Sequence, residues 1–341
     1  MKTKLWRITI DTNPEDCNLH CIMCEEHSQY SNYKEELYRT TGVKRRVMPP
    51  EWLENIFSQG KELGVHEVIP STMGEPLLYK SFDRILDYCN KSNIKLNLTT
   101  NGTFPRRKVE DWAELICPIT SDIKISWNGA SKETAESIMV GQDFNKALNK
   151  LKTFITVRDN IFKDTGNFCR VTLQLTFLKN NMHELKDIVN LAGEIGVNRI
   201  KGHHLWAHFN EIQDLSFRKD FTSIHQWNQY VEEAHMEQKN IFKKSGKKIL
   251  LENVIPLKIQ EKSEVPENYE CPFLNQEIWI SATGKISPCC APDELRKSLG
   301  DFGNIQDKTL NEVIESNEYQ QLAMNYKNYN LCKTCNMRKP I

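Results

Sequence analysis

The chain has 341 residues, 39% hydrophobic and 26% charged, enough to bury a real core and long enough for one large domain plus a smaller appendage. Lysine plus arginine equals aspartate plus glutamate at 45 each, which excludes a global field for nucleic acid or an anionic membrane. No stretch approaches a membrane span, and the opening MKTKLWRITIDT alternates like a strand rather than a signal peptide, so the chain is expected in the cytosol.

Taken in order, LWRITID (5–11) reads as a strand and PEWLENIFSQGKELG (50–64) as a helix with Pro50 near its start. HEVIPS (66–71), IKLNLTT (94–100), DIKISW (122–127), CRVTLQLTFL (169–178) and VNRIKGHH (197–204) are the next strands. Between them, helices are predicted over 81–92, 108–116, 143–160 and 182–196, and Asn101-Gly102 is a turn. Six strand–helix repeats predict an α/β fold with a parallel sheet, curled by right-handed crossovers into a partial barrel over 1–205. Residues 206–265 form a mainly helical bridge, with a polar connector at 261–270. A small domain over 266–341 opens on a hairpin, EIWISATGKISP, with Thr283-Gly284 at its turn.

Eleven cysteines need a reason. A reducing compartment disfavours disulfides, which leaves metal binding or catalysis for those that cluster. Cys89, Cys117 and Cys169 stand apart and read as buried small hydrophobes. Cys17, Cys21 and Cys24 share one loop after the first strand, at the mouth where barrels of parallel strands place their chemistry. Three thiolates can hold three irons of a cubane and leave the fourth iron open. A structural zinc takes four ligands, and His20 or His27 as the fourth keeps zinc open as a reading. Cys271, Cys289, Cys332 and Cys335 form a second set, which taken alone favours a zinc ribbon and beside the first loop suits a four-iron cluster.

The spacing Cys17-x3-Cys21-x2-Cys24 resembles the signature of the radical S-adenosylmethionine (radical SAM) superfamily, with Met23 where relatives carry an aromatic residue. Met73-Gly74-Glu75-Pro76 resembles the family's Gly-Gly-Glu-Pro motif. Thr100-Asn101-Gly102 and Ser126-Trp127-Asn128-Gly129-Ala130 end strands in the family manner. The resemblance covers about residues 5–205. It implies a partial (β/α)6 TIM-like barrel in which the cosubstrate chelates the open iron and is cleaved to a 5′-deoxyadenosyl radical. It also implies that Met73, Gly74, Glu75 and Pro76 hold the cosubstrate amino group, and that Asn101 and Ser126 reach its ribose. The C-terminal segment resembles SPASM or twitch extensions; with no cysteine after Cys335 it matches the shorter twitch form, holding one auxiliary cluster that carries electrons. The implied cofactors are two [4Fe-4S] clusters and S-adenosylmethionine, with a flavodoxin- or ferredoxin-type electron donor and neither nucleic acid nor membrane as partner.

Further candidates lie near the same mouth. Gln174 and Thr176 alternate toward one side of the fifth strand, within reach of ribose or substrate. His203 and His204 end the sixth strand, where one of them can accept a proton. Cys290, beside Cys289, is either a packed thiol or alternative ligand, or a hydrogen-atom donor as radical epimerases require. Glu25, Glu26, His27 and the basic run Lys44-Arg45-Arg46 read as solvated loop residues. The expected reaction is hydrogen abstraction followed by net oxidation of a small molecule, because no peptide-binding domain precedes the first strand. Modification or epimerisation of a peptide or sugar is the alternative, and a zinc-stabilised binding module the non-enzymatic one.

Overall fold

The computed structural model describes residues 5–217, 220–258, 265, 267–291, 293–335 and 337–340. The first four residues and much of the 261–270 connector therefore lie outside the described residues. In chain order the elements are β1 Arg7–Ile10, α1 Tyr33–Thr41, α2 Trp52–Glu62, β2 Glu67–Ile69, α3 Phe82–Ser92, β3 Lys95–Thr100, α4 Val109–Ile116, β4 Thr120–Ser126, α5 Lys132–Ile138, α6 Phe144–Thr165, β5 Arg170–Phe177, α7 Leu185–Ile195, β6 Arg199–His204, α8 Phe221–Ser245 and β7 Leu250–Glu252. The C-terminal part adds β8 Tyr269–Glu270, β9 Glu277–Ile280, β10 Ile286–Ser287, α9 Asp293–Arg296, α10 Leu310–Glu315, α11 Asn317–Asn325, α12 Asn330–Lys333 and β11 Lys339–Pro340.

Periodicity explains the helical layer. α3 buries Phe82, Ile85, Leu86 and Cys89, α4 buries Val109, Trp112, Ala113 and Ile116, and α7 buries Leu185, Ile188, Val189 and Ala192. Each set is the i, i+3, i+4, i+7 stripe of a helix laid on a sheet. Side-chain oxygens of Ser131 and Asp143 cap α5 and α6 by accepting from Thr134 and Lys146 backbone N–H groups. The strands they cover are apolar on their outer faces, so the outer face of the sheet is the core. Cys89, Cys117 and Cys169 sit in that core, as expected of small hydrophobes.

One sheet of nine strands runs in the order β10-β9-β1-β2-β3-β4-β5-β6-β7, and all but β10 are mutually parallel. Consequently the C-terminal ends of the strands form one mouth. Two edges extend the six expected strands. After α8, the short β7 pairs with β6 through Arg199↔Leu250 and Lys201↔Glu252, so the predicted bridge contributes a strand of its own. At the other edge β9 pairs with β1 in register from Arg7↔Glu277 to Ile10↔Ile280, and β10 folds back on it as the predicted hairpin. The barrel stays open between β10 and β7 among the described residues. No helix among the described residues is long and apolar enough to cross a membrane.

Candidate active site

The loop leaving β1 is held from three sides. Leu19 and Ile22 are buried in a small cluster with Ile138, Met139, Leu178 and Leu205, against which Cys17, Cys21 and Met23 pack. His20 and Ile22 donate their N–H groups to Val140 and Ile138 carbonyls at 2.8 and 3.0 Å. The three thiols come close enough to act on one another: burial first, then the neighbouring sulfurs, pushes Cys21 well above the thiol range, and burial pushes Cys24 up to about 11. Three half-buried thiols repelled in this way fit a polynuclear cationic group that would hold them as thiolates. His27 Nε2 bonds the Pro14 carbonyl at 2.7 Å and His20 Nδ1 bonds the His27 carbonyl at 3.1 Å, so both imidazoles serve the loop backbone.

Gly74 lies directly under this loop with φ +74°; a Cβ there would sit 2.5 Å from the Asn13 carbonyl oxygen and 2.8 Å from that of Asp16. Next to it the Glu75 N–H donates to Asp16 at 2.7 Å. The Glu75 carboxylate is turned inward, accepting from Thr100 Oγ1 at 2.7 Å, Asn101 N–H at 2.7 Å and Leu77 N–H at 3.2 Å, and Pro76 is buried at the start of the following turn. Its role here is to tie the ends of β2 and β3 together, while Met73 lines the cavity. Asn101 continues the tie: its Nδ2 donates to Cys17 Sγ at 3.8 Å and to Asn18 Oδ1 at 2.9 Å.

Burial raises the Glu75 pKa from 4.5 to about 7 despite its three donors. A carboxyl whose folded value is raised contributes full stability below its unfolded value and loses it as pH rises through the folded one. Between 4.5 and 7 that loss is about 3 kcal/mol. Glu75→Gln removes the titration, so urea unfolding of the apoprotein at pH 4.5 and 7.5 is expected to show a smaller decline in the variant. Equal declines would refute the assignment.

Strand alternation decides the other candidates. Ser126, Gln174 and Lys201 are register neighbours on β4, β5 and β6. His203 meets Gln174 Nε2 at 3.3 Å through Nδ1 and Thr176 Oγ1 at 3.3 Å through Nε2, so Ser126, Gln174, Thr176 and His203 gather on the inner face. Burial and Lys201 lower the His203 pKa, which keeps the imidazole neutral. His204 is a correction. Consecutive strand residues face opposite sides, and His204 packs outside the barrel among Phe177, Phe217 and Trp227 with ring centroids 5.1–5.4 Å apart. Asn128 likewise braces β5, accepting the Thr176 N–H at 2.8 Å.

The second cysteine set converges across the mouth. Cys271, Cys289, Cys332 and Cys335 each feel at least one of the others electrostatically, and Cys271, Cys289 and Cys332 pack against the core. The hairpin delivers Cys289 and α12 delivers Cys332. The Cys271 N–H is fixed by the Tyr326 hydroxyl at 3.2 Å. Hydrogen bonding from Cys290 lowers the Cys289 thiol to about 7. Cys290 itself opens into the central cavity. Four thiols with no fifth donor needed suit a fully ligated cluster.

A cavity of about 950 Å³ is bounded by both cysteine-bearing parts: Asp11, Glu25, Glu26 and Met73 on one side, Trp279, Cys290 and Arg296 on the other, and the barrel interior below. Of the loop residues expected to be solvated, Lys44 and Arg45 are exposed, Glu25 and Arg46 are half-buried, and Glu26 and His27 are not solvated. Glu26 and His27 are 7% and 4% exposed. Arg46 is half-buried between Glu15 at 2.5 Å and Glu26 at 3.3 Å, and the exposed Arg45 pairs with Asp16. A short polar run says nothing of the carboxylates that fold onto it from a distant segment. The polar floor of the cavity was not anticipated from the sequence either. Arg7 and Thr9 with Asp11 just past the strand, Asp122 and Lys124, and Arg199 and Lys201 alternate along β1, β4 and β6. That period-two polarity in strands covered by helices was the available signal.

A sequence profile of the Radical SAM superfamily matches residues 14–192, and one of the SPASM iron–sulfur cluster-binding domain matches residues 271–336. Among curated proteins, a probable GTP 3′,8-cyclase of Pyrococcus horikoshii is 26% identical over 208 residues, which is 61% of this chain and 58% of that relative. A second, from Pyrococcus abyssi, is 25% identical. The chain thus spans less than two thirds of the relatives it matches. In fold it is similar to Streptococcus suis SuiB bound to S-adenosylmethionine, with TM-score 0.68, 18% identity and coverage of 98% of this chain and 72% of the other. It is also similar to anSMEcpe with bound AdoMet, with TM-score 0.64, 17% identity and coverage of 98% and 85%. Profile matches over the barrel and the C-terminal segment agree with the two cysteine sets, and the chain belongs to the radical SAM superfamily as a SPASM-containing enzyme whose cofactors are S-adenosylmethionine and two iron–sulfur clusters.

Proposed function

We propose that this enzyme removes a hydrogen atom from a C–H bond of a polar small molecule held in the central cavity and completes a net two-electron oxidation. One observation carries the reading: Cys271, Cys289, Cys332 and Cys335 converge beside that cavity, and four thiolates leave a cluster room for an electron but none for substrate. When bound, the cofactors supply a 5′-deoxyadenosyl radical as hydrogen acceptor and an auxiliary cluster as electron acceptor. Met73 to Pro76, Asn101, Ser126 and Gln174 are the residues proposed to seat the cosubstrate, Met73 and Gly74 through backbone and Asn101 through the position of Cys17. His203, neutral and oriented by Gln174 and Thr176, is proposed to take the substrate proton. A flavodoxin- or ferredoxin-type donor and a cytoplasmic setting complete the proposal.

A second reading follows from the thiol of Cys290, which lines the same cavity. Transfer of its S–H hydrogen to the substrate radical leaves a product inverted at one carbon, with no net redox change in the substrate, and a thiyl radical that would be returned to the thiol by one electron from the electron donor and a proton from water. Peptides stand as alternative substrates, since SuiB has been solved with precursor peptide SuiA and anSMEcpe with the Cp18Cys peptide. The match to the Pyrococcus proteins supports shared radical chemistry rather than their nucleotide. Anaerobic turnover in D2O with S-adenosylmethionine and dithionite separates the readings. Oxidation is expected to give a product lighter by two hydrogens that Cys290→Ala still forms. A product of unchanged formula carrying one solvent deuterium, lost in Cys290→Ala, would replace oxidation with epimerisation.

A further inference from the structure

The barrel floor is a plate of paired charges in which, among the described residues, Lys124 and the exposed Arg170 have no direct carboxylate partner. Arg7 meets Glu67 at 2.8 Å and Glu277 at 3.2 Å. Arg199 bonds Asp122 and meets Glu252 at 2.8 Å, and Lys201 shares Glu252 at 2.9 Å. Neutral donors complete these carboxylates: Thr9 and Glu277 at 2.6 Å, Ser121 and Glu67 at 2.6 Å, Thr172 and Asp122 at 2.7 Å. Lys124 stands among them on β4, two residues before Ser126, and lines the cavity. Among the described residues its Nζ bonds only the Asn97 side-chain oxygen. Asn97 is itself fixed, its Nδ2 donating to Glu67 at 2.9 Å.

We infer that Lys124 anchors an anionic oxygen group of the substrate, a carboxylate or phosphate, at the floor of the cavity. The inference rests on the proposed reading of this cavity as the substrate site and deepens it by naming the substrate class. An ammonium has three donors; Asn97 takes one, and for the remaining two the described residues supply no carboxylate at salt-bridge distance. The nearest acids, Asp122 and Glu67, are already held by Arg199 and Arg7. Burial lowers the Lys124 pKa to about 8, with Asp122 and Glu67 opposing that shift and Lys201 and Arg7 adding to it. An incoming anion relieves the cost of keeping this charge out of water. Arg7, Arg199 and Lys201 cannot play this part without breaking an existing pair, and Arg170, which has no ion pair among the described residues, is exposed at the start of β5 rather than sunk in the plate.

Competitive acetylation of the reconstituted enzyme with acetic anhydride, read by peptide mass spectrometry, tests this at each lysine. Acetate and inorganic phosphate serve as probes against chloride at equal ionic strength, with and without S-adenosylmethionine. At a probe concentration about tenfold above its Kd, Lys124 labelling is expected to fall about tenfold while surface lysines are unchanged. Calorimetric titration of Lys124→Gln with the same probe is expected to lose the binding heat seen in wild type. Unchanged labelling of Lys124 overturns the inference. So does equal protection by S-adenosylmethionine alone, because the anion would then be the cosubstrate's. Release of 5′-deoxyadenosine by the wild-type enzyme is scored separately: its absence would defeat the proposed chemistry whatever Lys124 binds.

Discussion

Alanine in place of Cys21 is expected to reduce 5′-deoxyadenosine release to background, whereas alanine in place of Cys335 is expected to leave that release intact and abolish product. The two cysteines belong to separate supports. Cys21 is seated by Leu19 and Ile22 in the small cluster that includes Ile138, Leu178 and Leu205. Cys335 follows α12, where Arg338 donates to the Cys332 carbonyl at 3.3 Å and to Tyr269. Losing one of three thiolates leaves two, too few to close a cubane on one open iron, and the iron content should fall by about four per chain. Losing one of the four auxiliary thiolates removes the route for the second electron while the loop after β1 keeps its seat. Anaerobic iron and sulfide analysis, with quantitation of 5′-deoxyadenosine and product, checks both variants. Wild-type cleavage by Cys21→Ala would defeat the assignment of the loop. Loss of cleavage in Cys335→Ala would show that the two sites depend on each other structurally.

How much of this was visible beforehand follows the range of the interactions. The cysteine spacings and the strand–helix rhythm are local patterns, and they led to the barrel, the hairpin and the grouping of the two cysteine sets. The parallel docking of Glu277–Ile280 on β1 was not legible, because its partner strand lies some 270 positions earlier and an apolar EIWI segment is the same whether it ends a hairpin or extends a barrel. Nor was the three-residue β7, whose LLE segment shows no period. His203 and His204 looked equivalent as neighbours, yet the pleat sends them to opposite faces. Arg46 looked solvated until Glu15 and Glu26 closed on it. Buried charge is the least legible property of all, since each group is tolerated inside only by a partner supplied from another strand.

Gly74 is where the fold and the chemistry meet most tightly, and Gly74→Ala is expected to lower 5′-deoxyadenosine release about a hundredfold, the order that a displacement near 1 Å in a reacting constellation produces. Two costs combine. A left-handed backbone disfavours any residue with a Cβ by about 1–2 kcal/mol, and forcing that atom against fixed neighbours adds about 1–3 kcal/mol. Here the neighbours are backbone carbonyls of Asn13, Pro14 and Asp16 at 2.5, 3.0 and 2.8 Å, which cannot swing away as a flexible side chain would. They can retreat only by carrying Cys17 with them, and that strains the bonds from Asn101 to Cys17 and from the Glu75 N–H to Asp16. Gly42 provides the control, having φ +71° with nothing within 4 Å of the place an alanine methyl would take. Gly42→Ala should cost about 1 kcal/mol in unfolding free energy and leave cleavage unchanged. Auxiliary iron should be retained in both variants, which separates a displaced loop from general unfolding. Should Gly74→Ala cleave S-adenosylmethionine as fast as wild type, the loop does not rest on this glycine; should Gly42→Ala lose as much, backbone strain rather than the close approach to the carbonyls is the cause.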